Sequence, residues 1–164
     1  MRTADILTLF DYNYWATHRI LAAAAGLSQE QFTAPASLSH GGLQGTLTHT
    51  LGAEWIWRSR IQGQSPTAIL SAAEFTTLAA LSRRWQAEEG AMRAMLEGLD
   101  DGDLDRTIRY RTTRGIPHQN TLWHLLLHLA NHGTQHRSEA AVLLTDYGHS
   151  PGDLDLIVYL RQVA

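Results

Sequence analysis

The sequence predicts an all-α fold: an antiparallel four-helix bundle with a short C-terminal helix, and a segment before the last long helix that is compatible with a small hairpin. Apolar residues recur at helical spacing in four long stretches of the 164-residue chain. Glycine, proline and small polar residues separate these stretches. Hydrophobic residues make up 44% of the chain and charged residues 18%, a balance typical of a single globular domain, here residues 1–164.

The first three long helices are predicted from periodicity and from the residues that end them. The first runs from Thr3 to Ala25 and the second from Leu43 to Ile61, and each is followed within two residues by a glycine. The third follows a capping box formed by Ser71 and Glu74 and continues to Gly98. Helices of this length, joined by loops, are expected to pack as antiparallel neighbours.

The rest of the chain is predicted to form a short hairpin, a long histidine-rich helix and a short fifth helix. Residues 106–117 are rich in β-branched residues and contain a glycine, which is compatible with a short extended hairpin. The fourth long helix begins at a cap provided by Asn120 or Thr121 and runs to Tyr147. A short fifth helix is predicted for residues 153–162.

Composition excludes several classes of function. The net charge of −3 and the scattered arginines argue against a nucleic-acid-binding surface. The first residues lack the uninterrupted apolar core of a secretory signal, and no apolar run approaches the roughly 20 residues that span a bilayer, so no membrane association and a cytoplasmic location are expected. The chain has no cysteine. Any metal ion must therefore be held by His, Asp or Glu, and any reacting thiol must come from another molecule.

The fourth helix carries a histidine at every fourth position: His124, His128, His132 and His136. Each step of four residues turns a side chain by about 40° and advances it by about 6 Å. The apolar residues of this helix centre about 70° from His132, on the side to which His136 turns. His132 and His136 are thus the inner pair. His124 and His128 face outward and are expected to be solvated, or in the case of His128 to lie behind a ligand.

An inward pair of imidazoles one turn apart suits one divalent ion, and we favour this interpretation over hydrogen-bonded core histidines. A third ligand should come from another helix, and the best candidate is His49. Its face of the second helix is lined by small residues, including Gly45 and Gly52, which would leave room for an ion and a substrate. Close helix packing explains these small residues equally well.

The spacing excludes two classes of metal site. His132 and His136 have the spacing of a zincin, but the position of its catalytic glutamate is taken by Gly133. No Glu is followed by His three residues later, as the carboxylate-bridged di-iron bundles require. Three neutral nitrogens around one divalent ion remain, a set compatible with zinc, nickel or iron.

The chain resembles the DinB-like (DinB/YfiT) superfamily of metal-binding four-helix-bundle proteins. The resemblance covers nearly the whole chain and rests on these motifs: Tyr12-Asn13-Tyr14-Trp15-Ala16, Leu47-Thr48-His49-Thr50-Leu51 with Glu54 and Trp55, His128 to Arg137, and the C-terminal Gly148, Pro151, Asp155 and Tyr159-Leu160.

The resemblance implies a ligand set of His49, His132 and His136, and one divalent metal ion, zinc or nickel foremost and iron as a third option. It also implies a homodimer, for which the aromatic residues Trp55, Trp57 and Trp123 are available. Some members of this family transfer or rearrange groups using low-molecular-weight thiols, which here would imply a low-molecular-weight thiol and an electrophilic small molecule as partners. Many others are known only as stress- or damage-inducible proteins.

Three functions follow as hypotheses. The leading one is a metal-dependent S-transferase, in which the ion binds a thiol as thiolate. The second is a metal-binding stress protein without catalysis. The third is metal-assisted hydrolysis with Glu54 or Asp155 as the base. Arg137 could bind a carboxylate of the thiol or substrate, but we favour a structural contact with another helix.

Overall fold

The computed structural model describes all residues, 1–164, and is mostly helical with a small two-stranded sheet. The elements are α1 (Thr3–Ala24), α2 (Gln29–Thr33), α3 (Leu43–Ile61), α4 (Leu78–Glu97), β1 (Thr107–Arg111), β2 (Pro117–Thr121), α5 (Leu122–Asp146) and α6 (Leu156–Val163), with single 3-10 turns at Ala72–Glu74 and Asp103–Asp105. None of the helices combines the length and the apolar character needed to cross a bilayer.

The four long helices contact one another in a closed ring. Helix α5 packs against α1 and α3, and α4 packs against the same two helices from the other side. Two apolar clusters fill the interior between them. One lies toward the hairpin and includes Phe10, Tyr14 and Leu126, and the other lies toward α2 and includes Phe32, Trp85 and Leu144. The side chains of all four helices thus face a common interior, where any polar group needs a partner.

A hairpin is present, but its second strand, Pro117–Thr121, lies almost entirely beyond the predicted residues 106–117. Strands β1 and β2 pair antiparallel, with Ile108 opposite Asn120 and Tyr110 opposite His118. Ile108 is the one residue of the pair of strands that is buried, and it joins the apolar cluster at that end. The second strand leads directly into α5, and Thr121 occupies the N-cap position without a side-chain capping bond.

Two details of the helix predictions were wrong. The capping box of Ser71 and Glu74 exists, but it caps only a single 3-10 turn, and α4 begins seven residues later under Thr77, whose hydroxyl accepts from the backbone of Ala80 at 3.2 Å. The short helix α2 was not predicted. It is capped by Ser28 and Gln31, a local signal that periodicity over a long window does not detect.

Candidate metal centre

The four histidines of α5 divide as the helical angles predict. His124 and His128 are exposed, His132 is half-buried, and His136 is buried with 4% of its surface exposed. The ring centroids of His132 and His136 lie 4.5 Å apart, so the inner pair faces one point in space. His124 and His128 are turned toward solvent instead.

His49 meets this pair from α3. Its Nε2 lies 3.1 Å from Nε2 of His132, and its ring centroid lies 4.8 Å from that of His136. The ring centroids of His49, His132 and His136 thus lie within 5.0 Å of one another. Two ligand nitrogens on a tetrahedral zinc ion, each about 2.05 Å from it, are about 3.3 Å apart. The observed separation is close to this value.

A fourth imidazole, His40, was missed by the sequence analysis. Its ring stacks on that of His49 with centroids 3.7 Å apart and planes 16° from parallel, and lies 5.0 Å from the ring of His136. Each of His40, His49 and His136 offers a nitrogen within 4.8 Å of the others, a group that could hold a metal ion. We refer to His40, His49, His132 and His136 together as the histidine cluster.

His40 reaches the cluster because α3 carries glycine at its start. A Cβ on Gly45 would lie 2.0 Å from the carbonyl oxygen of His40, and a Cβ on Gly52 would lie 2.8 Å from the side chain of Ile69. The space beside these glycines is therefore filled by other parts of the chain. Of the two interpretations of the small face of α3, close packing is the one that the structure supports at Gly45 and Gly52.

Glu139 orients one member of the cluster. Its carboxylate accepts a hydrogen bond from Nδ1 of His136 at 3.1 Å and another from the hydroxyl of Ser39 at 2.6 Å. The bond from Ser39, together with that from His136, holds the pKa of Glu139 below its ordinary value. Because a carboxylate can only accept, the proton of His136 is on Nδ1 and its Nε2 lone pair is left for a metal ion.

Three members of the cluster have lowered pKa values. Burial, with the neighbouring imidazoles, lowers the pKa of His49 to about 4 and that of His132 to about 3. Burial also lowers the pKa of His40. Since the neutral imidazole is the form that binds a metal, these residues are ready to act as ligands at pH 7 without first losing a proton. Uncharged nitrogens with open lone pairs fit a borderline divalent ion such as zinc.

A second buried polar feature links all four long helices. Arg137 on α5, 2% exposed, donates to Oδ1 of Asn13 on α1 at 2.5 Å. The amide of Asn13 donates to Glu54 on α3 at 2.9 Å, and the indole of Trp85 on α4 donates to the other oxygen of Glu54 at 3.2 Å. We call these four residues the buried polar chain. Arg137 therefore has the interhelical contact favoured from its helical angle.

Neither proposed catalytic base is shown to face the cluster. Glu54 accepts hydrogen bonds from Asn13 and Trp85, and only 3% of its surface is exposed. Asp155 is exposed and lies at the N-cap of α6, beside a cavity of about 320 Å³. No residue of the histidine cluster lines that cavity, nor a groove of about 850 Å³ beside the hairpin.

The model of the DinB family matches residues 1–163, which is almost the entire chain. No curated protein matches it.

Proposed function

We propose a function for this chain from the premise that it belongs to the DinB family. The chain binds one divalent metal ion, zinc or nickel foremost and iron as a third option, through His49, His132 and His136. The observation that carries this proposal is the approach of Nε2 of His49 to within 3.1 Å of Nε2 of His132, beside the buried His136. The antiparallel four-helix bundle is part of the same proposal, and the closed ring of long helices supports it.

We further propose that the protein is an S-transferase for a low-molecular-weight thiol and an electrophilic small molecule. A divalent ion in the cluster would supply Lewis acidity and lower the pKa of a bound thiol. The chain itself supplies neutral imidazoles and, through Glu139, a fixed orientation for His136. It supplies no thiol, because it has no cysteine. The sulfur of the external thiol would form the new bond to the electrophile, whose leaving group departs with the bonding electrons, and the thiol proton would pass to solvent.

Turnover of a model electrophile with a panel of bacterial thiols tests this activity. We expect turnover with at least one thiol in the metal-loaded protein, and its loss in His49→Ala. His124→Ala is the matched control, because that imidazole is exposed on the outer side of α5. Turnover that persists after the metal has been removed would contradict the mechanism.

A metal-binding stress protein without catalysis is the second candidate, and His40 is the observation that favours it. A fourth imidazole beside the other three could complete a tetrahedral site, and structural zinc sites are closed in this way. This function would be favoured over the transferase if the protein reacts with no thiol of the panel and its metal ion carries no exchangeable bound water.

We also propose that the protein forms a homodimer. Trp57 packs within the chain against Tyr110 and under Arg60, so it is less available to a partner than the sequence suggested. Leu127 and Val142 on α5 are large apolar residues with 40% and 62% of their surfaces exposed. Sedimentation equilibrium tests the proposal: a mass of two chains supports it, and a single-chain mass at high protein concentration overturns it.

A further inference from the structure

His40 differs from the other members of the cluster in the element that carries it. His49, His132 and His136 are on long helices, whereas His40 lies in the loop before α3. Its ring is nonetheless in contact with two of the others, at 3.7 Å from the centroid of His49 and 5.0 Å from that of His136. Each of His40, His49 and His136 also offers a nitrogen within 4.8 Å of the others. Because stacked rings cannot both hold one ion in their planes, the ring of His40 must turn out of the stack when it binds the ion.

The loop that carries His40, residues 36–42, is fastened at several points. The backbone of Ala36 donates to the carbonyl of Gly41 at 2.9 Å, and Gly41 turns the chain with a φ of +80°. The carbonyl of His40 lies against Gly45, where no side chain would fit. Ser39 donates to Glu139, the same carboxylate that orients His136. Glu139 thus bonds both to the loop and to a histidine on the inner face of α5.

We propose that His40, carried by this loop, is a fourth nitrogen ligand of the metal ion and that an incoming thiol displaces it from the ion. The inference rests on the proposed function, since it presupposes an ion at His49, His132 and His136. His40 closes the coordination sphere while its imidazole is bound to the ion. An exogenous thiol then reaches the ion only when this imidazole turns away, so the side chain of His40 controls access to the site.

The alternative is that His40 only stacks on His49 and shields it from solvent. If His40 only shields His49, both of its ring nitrogens remain uncoordinated when the metal binds. If His40 is a ligand, one of its ring nitrogens binds the ion, and coordination changes the electronic environment of that nitrogen. This difference can be observed for each histidine separately, without reference to activity.

Long-range ¹H–¹⁵N correlation spectra of the full chain, labelled in histidine, provide the test. The metal-free protein is titrated with one equivalent of Zn²⁺, and His40 is assigned from the spectrum of His40→Gln. We expect one ring nitrogen of His40 to shift together with those of His49, His132 and His136. A shift of those three with His40 unchanged overturns this inference alone, whereas no shift in any of them overturns the proposed function as well.

Thiol binding to the Co²⁺-substituted protein tests displacement. A sulfur-to-cobalt charge-transfer band reports binding of 2-mercaptoethanol to wild type, His40→Gln and the control His124→Gln, whose imidazole is exposed. If His40 is off the ion in about a tenth of the wild-type molecules, His40→Gln should bind the thiol about tenfold more tightly, because an apparent affinity falls with the competent fraction. His124→Gln should match the wild type. Equal thiol affinity in wild type and His40→Gln would overturn the claim that His40 is displaced.

Discussion

Among single residues, Glu54 occupies an environment very unlike water. Burial raises the pKa of its carboxyl to about 7, while the hydrogen bonds from Asn13 and Trp85 and the charge of Arg137 act in the opposite direction. In an unfolded chain the same carboxyl would titrate at its ordinary value of 4.5. The folded protein therefore retains a proton on Glu54 at pH values where the unfolded chain has released it.

This difference predicts how Glu54→Gln changes the pH dependence of stability. The raised pKa means that the folded state binds more protons between pH 4.5 and 7, so the contribution of Glu54 to the free energy of unfolding falls as pH rises through that window. Glutamine resembles the protonated acid but does not titrate, so its contribution does not fall with pH. The unfolding free energy of Glu54→Gln, relative to that of wild type, should therefore rise by roughly 2 kcal/mol from pH 5 to pH 8.

Urea unfolding of the metal-free proteins at both pH values measures this change. The histidines titrate equally in the two proteins, so their contribution cancels in the difference. A difference in unfolding free energy that is the same at pH 5 and pH 8 would show that burial does not raise the pKa of Glu54.

At the scale of elements, two helical glycines permit close approaches between parts of the chain. Gly45 on α3 accommodates the carbonyl of His40, and Gly133 on α5 accommodates Asn13 and Arg137 of the buried polar chain. Both glycines cost helix propensity, about 1 kcal/mol each relative to alanine. Contacts between elements, and not local helix stability, explain these two residues.

Gly45→Ala is expected to weaken metal binding although it removes no imidazole. The new Cβ would lie 2.0 Å from the carbonyl oxygen of His40, so the loop that carries His40 must move and its bond from Ser39 to Glu139 is disturbed. We expect a loss of affinity of roughly 10- to 100-fold, as for disturbed partners of metal ligands in general. Competition with a chelating dye measures it. Unchanged affinity would show that the seated loop does not contribute to the site.

Gly133→Ala should destabilise the fold, and Gly90→Ala provides a matched control on α4. A Cβ on Gly133 would lie 2.6 Å from Nη1 of Arg137 and 2.7 Å from Oδ1 of Asn13, whereas a Cβ on Gly90 would meet nothing within 4 Å. We expect Gly133→Ala to lose about 1–3 kcal/mol of unfolding free energy, and Gly90→Ala to gain up to about 1 kcal/mol. Thermal unfolding of both variants checks this, and equal stabilisation by the two would refute the role of Gly133.

At the scale of the whole molecule, the long helices were predictable because each is longer than the window over which periodicity is read. The inner pair of histidines was predictable for the same reason, since the angle between His132 and His136 depends only on helix geometry. His49 lies on another helix, where the small residues on its face made it a candidate ligand, and the resemblance to a family strengthened that prediction. The short helix α2 and the late start of α4 depend on local capping, which a pattern of apolar residues does not specify.

His40 and Glu139 were not predictable in this way. His40 belongs to a loop without periodicity, and Glu139 is a polar residue on a face that helical angles alone leave unassigned. Both acquire a role from contacts between residues 96 to 100 positions apart in sequence: His40 lies near His136 through the fold, and Ser39 binds Glu139 across a separation of 100. The only local sign was the run of glycines, Gly41, Gly42 and Gly45, that follows His40.

Elemental analysis of the purified protein tests the central claim most directly. Wild type is compared with His49→Ala, His132→Ala and His136→Ala after dialysis, with His124→Ala as the control for an exposed imidazole of the same helix. We predict about one equivalent of a divalent metal in wild type and control, and its loss from each of the three variants. Full retention of metal in all three variants would contradict the account.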